Sequence, residues 1–205
     1  MTDPLGQSQI IPYIQGLCPY GYSFTILSFE KKEKLAKYEN QIRTLLEASQ
    51  IEWKYLSFTR KPPVLSKMYD LLRLKRASRR LQREKQFDMT HCRGYLGADI
   101  GLALKKKYGV KFLFDMRGFW ADEKKDAGAW NMKSPIFRRV YKYYKAKEKQ
   151  YLQYADGVIS LTKAGLDEMK KWPGFNAQTP VEIIPCCADM NHFSLVSTVS
   201  KQQNL

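Results

Sequence analysis

The order of elements along this 205-residue chain predicts an α/β protein built on a parallel, doubly wound sheet. Three observations predict it. Short runs rich in β-branched and aromatic residues recur from residue 22 to residue 184. Charged stretches with apolar residues at helical spacing stand between them. Glycine or proline marks several of the junctions, as at Pro62, Gly109 and Pro135.

Taken in order, YSFTILSF at 22–29 reads as a strand and the charged stretch 30–48 as a helix. IEWKYLS at 51–57 alternates apolar and polar residues, the pattern of a half-exposed strand. Pro62 and Pro63 open a long helix that runs to about residue 85. Residues 87–92 form a third strand and 95–108 a helix closed by Gly109. VKFLFDM at 110–116 is nearly continuous in apolar residues at its end, as a buried central strand should be. The stretch 117–133 reads as an irregular loop. Ser134 is placed to cap the next helix, with Pro135 in its first turn, and that helix runs to about residue 154. A strand at 157–162, a helix at 163–171 and a last strand at 181–184 follow. The opening segment, with apolar Ile10, Ile11, Tyr13, Ile14 and Leu17 after Gly6, Gln7 and Ser8, reads as a strand-to-helix loop and its helix. Residues 1–184 thus make one domain, with a linker and polar tail at 185–205.

At 44% hydrophobic and 27% charged, the composition is that of a globular protein, and no apolar run approaches the roughly 20 residues that span a bilayer. The N-terminus has neither the basic nor the apolar part of a secretory signal. Cys18, Cys92, Cys186 and Cys187 form no CxxC pair and only two histidines accompany them, so metal-ligand spacing is missing and reduced thiols in a cytoplasmic setting are expected. The net charge of +15 points to anionic partners: phosphorylated ligands, a membrane surface or nucleic acid. It is concentrated at 60–85, where ten Lys/Arg stand against Asp70 and Glu84 opposite a wide apolar face. That helix is either a crossover packed on the sheet or one that meets anionic lipid. In the helix from Ser134, cations alternate with tyrosines, which suits nucleic acid or the polar face of a packed helix; no recognised nucleic-acid-binding signature is present.

Ligands of open α/β sheets lie beyond the carboxyl ends of the strands. The residues at those ends are Gly6–Ser8, His91 to Gly94, Asp115 to Glu123, and Thr162 with Lys163. Arg93 and Arg117 each precede a glycine; a guanidinium offers a planar fork of donors for phosphate, and glycine permits close approach. The same arginines could instead pair with Asp115, Asp122 or Glu123. Trp120 and Trp130 either stack on a sugar or seal the loop against the core, and His91 reads as a core histidine.

DMRGFWADE at 115–123, DPLGQSQ at 3–9, and IPCCAD at 184–189 followed by Phe193 resemble family 4 of the retaining glycosyltransferases, over essentially the whole chain. The resemblance implies the Rossmann-like N-terminal domain of a two-domain GT-B enzyme. Such an enzyme moves a sugar from a nucleotide sugar to a glycan or lipid-linked acceptor with retention, without a metal or other cofactor. It implies that this domain holds the acceptor, while a C-terminal domain with paired glutamates binds the nucleotide sugar. By that resemblance the chain lacks the C-terminal domain and a first strand before Thr2. It is expected to be inactive alone, to leave a gap between the strands at 22–29 and 87–92, and to be poorly soluble. Gly6, Gln7 and Ser8 match the loop near the donor diphosphate. Arg93, Gly94, Gly118, Trp120, Asp122 and Glu123 match the acceptor side, and Asp189 the domain hinge. Arg117 stands where many members carry a histidine; a guanidinium cannot take a proton near neutral pH but can hold developing negative charge, so Arg117 and Asp115 are the candidate catalytic pair. Work at the inner face of the cell membrane, on an anionic surface, fits the basic helices. The competing reading is a non-catalytic basic α/β module that binds anionic membrane or nucleic acid.

Overall fold

The computed structural model describes residues 1–59 and 63–186, with backbone alone at 63–65 and 67. Asp189, Phe193, most of the linker and residues 60–62 ahead of the long basic helix therefore lie outside the described residues. The fold is α/β with parallel sheets, as expected, but its strands form two sheets rather than one. Met1–Phe58, with Cys186, make one compact unit and Thr59–Pro185 the other.

In the first unit, β1 (Thr25–Glu30) pairs in parallel with β2 (Glu52–Ser57), from Thr25 opposite Glu52 to Glu30 opposite Ser57. The crossover between them is α2 (Lys32–Glu47). Ile42 and Leu46 of α2 pack with Ile51, Trp53 and, from α1 (Ile11–Leu17), Ile11 and Ile14. β1 starts three residues later than expected, after the left-handed Gly21. Glu30, buried at the end of β1, accepts from the Thr2 backbone and hydroxyl, the Ser28 hydroxyl and the Met1 amine. Burial raises its pKa, but these donors outweigh burial and hold the carboxyl below its usual range.

The opening segment is not the expected loop. The chain coils already at Gly6–Ile10, in a widened turn in which the Ile11 amide bonds back to the Gly6 carbonyl. Pro12 follows in the first turn of α1, where its missing N–H costs no helix bond.

The second unit holds β3 (Met89–Arg93), β4 (Lys111–Met116), β5 (Gly157–Ser160) and β6 (Val181–Ile183), all parallel and in that order across the sheet. Its helices are α3 (Pro63–Lys85), α4 (Gly94–Tyr108), α5 (Trp120–Asp126), α6 (Pro135–Tyr154) and α7 (Lys163–Met169). α4 packs on β3 and β4, α6 on β4 and α7 on β5. Because side chains alternate along a strand, Cys92, Phe112, Phe114, Met116 and Val158 share one face. There they meet Tyr95, Ala98 and Leu102 of α4 and Tyr151 and Leu152 of α6. Gly101 lets α4 come close to the sheet: a Cβ there would run into the Cys92 sulfur and lie 2.5 Å from the Phe112 ring.

Several expected boundaries move for local reasons. Gly109 ends α4 in the left-handed conformation, as expected. The loop at 117–133 contains α5, whose first turn carries Asp122 and Glu123 and whose last carries Lys124 and Lys125, each sign at the favourable end of the helix. Ser134 occupies the cap position of α6 but its side chain makes no capping bond; Pro135 starts the helix. β5 stops at Ser160 because Thr162 turns to cap α7, its hydroxyl accepting from the Gly165 amide at 3.0 Å.

Candidate functional site

The register of the second sheet sets Arg93 opposite Asp115 and His91 opposite Leu113. Alternation then raises His91, Arg93 and Asp115 on the face opposite the aromatic core. Asp115 is only 3% exposed, and each of its oxygens is engaged. Oδ2 lies 3.2 Å from His91 Nε2, and Oδ1 accepts from Arg117 Nη1 at 3.3 Å. A buried carboxylate needs donors, so it selects the His91 tautomer with the proton on Nε2. The Arg117–Asp115 pair is one of the salt bridges the sequence left open. His91 is not a core histidine: its side chain is 25% exposed and turned to a carboxylate at the carboxyl end of the neighbouring strand. Sequence reasoning missed this contact. Its only signal was parity, two residues of one face on strands that pair.

Glycine serves conformation more than close approach at Gly94. It takes φ +74 between β3 and α4, and nothing lies within 4 Å of where a Cβ would sit. At Gly118 the neighbour is Glu123, whose carboxylate occupies the space a Cβ would need. Of the three candidates on α5, Asp122 and Trp120 face α6. Asp122 accepts from Tyr141 Oη at 2.6 Å and Lys145 Nζ at 2.8 Å. Burial raises the Asp122 pKa, but those two bonds and the lysine charges outweigh it and hold it low. Trp120 joins an aromatic cluster with Tyr95, Trp130 and Tyr144, at centroid distances of 5.5, 5.2 and 4.8 Å.

Behind α5 lies a buried polar network that the sequence did not announce. Glu148, 1% exposed, accepts from Tyr95 Oη and pairs with Lys145, which bridges it to Asp122. Lys145 also stands 3.8 Å from the centroid of the Trp172 ring. Burial pushes the Glu148 carboxyl up against the opposing pull of Lys145 and Tyr95. Burial, followed by the Glu148 charge, pushes the Tyr95 phenol up. The network ties α4, α5 and α6 together one turn beyond Arg117 and Gly118.

Gly6, Gln7 and Ser8 belong to the other unit. Gly6 is buried, its amide bonded to the Asp3 carbonyl at 2.9 Å; Gln7 Nε2 donates to the Thr2 carbonyl and Ser8 Oγ to the Pro4 carbonyl at 2.9 Å. Among the described residues no helix is long and apolar enough to cross a membrane. Residues 14–192 match the family model described as Glycosyltransferase Family 4. No curated protein matches the chain.

Proposed function

The chain belongs to glycosyltransferase family 4, and from that premise we propose that it supplies the acceptor side of a retaining sugar transfer. The sugar comes from a nucleotide sugar held by a second domain and passes to a glycan or lipid-linked acceptor. The supporting observation is the cluster at the carboxyl ends of β3 and β4, where buried Asp115 holds His91 and Arg117 by separate oxygens. Open α/β sheets bind ligands at that edge. Arg117 gives a fixed positive charge beside the acceptor, and Asp115 sets its orientation. Charge that develops on the leaving diphosphate or an acceptor phosphate is stabilised there without a proton transfer from the guanidinium. Arg93, level with Asp115 across the ladder, extends the cationic edge. The Asp122–Lys145–Glu148 network holds the following helix in place, so the loop that carries Arg117 is backed by a rigid wall.

Saturation-transfer NMR with the chain against oligosaccharides, prenyl-phosphate-linked sugars and nucleotide sugars tests the reading. Acceptor-class ligands should bind, and Arg117→Ala should abolish their signal. Binding of nucleotide sugars alone, or acceptor binding indifferent to Arg117, would reject it. The competing reading, a basic module without catalysis, has the net charge in its favour but leaves the Asp115 cluster without a use.

A further inference from the structure

We propose that the N-terminal end of α6 is a docking surface for an anionic phospholipid bilayer. The first turn of a packed helix normally has one covered side. Here residues 135–139 are all exposed, so the helix end stands clear in solvent on every side. Ile136 is 69% exposed, and Phe137 beside it and Tyr143 two turns on are exposed as well. Isolated exposed apolar residues are ordinary; several on one projecting end, ringed by charge of one sign, are not. Lys133, Arg138, Arg139 and Lys142 are exposed around them and form no ion pair among the described residues. Between Asp126 and Glu148 the sequence holds six Lys/Arg and no acid.

Charge complementarity and the apolar tip together choose the occupant. An anionic bilayer attracts each cation near its surface and takes apolar side chains into the acyl boundary. A nucleic acid would meet the cations but offers Ile136 nothing, since bases stack on flat rings. The sequence pointed instead to the long basic helix. On α3 the apolar residues Met68, Tyr69 and Leu72 are exposed too. Its cations, however, are partly neutralised within the helix, Arg73 by Asp70 and Arg80 by Glu84. The cations in the first two turns of α6 have no such internal partner. Nothing in this docking depends on the chemistry of sugar transfer.

The test is co-sedimentation of the full chain with vesicles of phosphatidylcholine alone and of phosphatidylcholine with phosphatidylglycerol in equal parts. The expected result is binding to the anionic vesicles only, weakened by salt. Arg138→Gln with Arg139→Gln should lower partitioning about fivefold per cation removed. Ile136→Ser with Phe137→Ser should lower it on the order of tenfold per residue, with the far-ultraviolet spectrum unchanged because both side chains are exposed. Met68→Ser with Leu72→Ser should leave it unchanged. Four outcomes with vesicles or in sedimentation equilibrium would overturn the proposal. They are no vesicle binding; binding indifferent to the α6 variants; loss of binding with the α3 variant alone; and a dimer in sedimentation equilibrium that Ile136→Ser dissolves, which would make the tip a contact with a second copy. Tighter binding to a single-stranded oligonucleotide than to vesicles, retained in Ile136→Ser, would likewise overturn it in favour of nucleic acid.

Discussion

His91 on β3 and Asp115 on β4 meet diagonally across neighbouring strands, His91 Nε2 standing 3.2 Å from Asp115 Oδ2. The two are 24 residues apart in sequence, and Arg117 takes the second oxygen of the same carboxylate. The neutral imidazole should therefore be held as the Nε2–H tautomer. Nitrogen NMR of the imidazole in the wild type should show that form dominant, and Asp115→Ala should return the ring to a mixture. An Nδ1–H ring in the wild type would contradict the geometry.

Arg117 and lysine are not equivalent at this position, because the Nη1 donor that meets Asp115 belongs to a planar guanidinium whose geometry an ammonium does not reproduce. Under the proposed sugar transfer, assayed with a nucleotide-sugar-binding domain supplied, Arg117→Ala should lower kcat/KM roughly 100-fold, the loss typical of one preorganised donor. Arg117→Lys should recover only part of it. Full activity in Arg117→Ala would reduce the Arg117–Asp115 pair to a loop brace.

Removing Lys145 leaves two carboxylates, Asp122 and the buried Glu148, without their shared cation. Lys145→Met should destabilise the protein by about 3–5 kcal/mol, the cost of an uncompensated buried charge. Glu148→Gln should cost distinctly less, since the amide still accepts from Tyr95 and Lys145 keeps Asp122. Urea unfolding of the two variants compares them directly; equal losses would mean the network acts through packing alone.

Gly101→Ala places a methyl between the Cys92 sulfur and the Phe112 ring, both part of the close-packed face under α4. Overpacking of this kind costs about 1–3 kcal/mol. Gly16→Ala, with nothing within 4 Å of its Cβ position, is the control and should not destabilise. The difference in urea midpoint between them measures how tightly α4 sits.

Asp156 clasps the strand beside it: Oδ2 accepts from the Phe112 amide at 2.7 Å and Oδ1 from Lys105 at 2.7 Å. Burial raises its pKa, but Lys105 and the amide outweigh burial and hold it below the usual range. A carboxylate with a depressed folded-state pKa stabilises fully above its unfolded value of about 3.9, and that stabilisation is lost as pH falls through the folded value. The stability gap between wild type and Asp156→Asn should thus be constant above about pH 5 and close progressively below about pH 4. A gap that persists unchanged in acid would assign it to the hydrogen bonds alone.

The sequence by itself determined the class of fold, most of the elements and the residues at the strand ends. Pro135, Gly109 and the period-two run at 51–57 carry local preferences that neighbours only trim. Helix α5 escaped because its seven residues are too few for a periodic apolar face; it is held by terminal charges and by packing on α6. The division into two sheets, the His91–Asp115 contact and the meeting of Tyr95 with Glu148, 53 residues away, were decided only in the tertiary structure. Register and helix docking are properties of pairs of segments. A local pattern says which face a residue takes on its own strand or helix, but not which residue from elsewhere in the chain will stand opposite it.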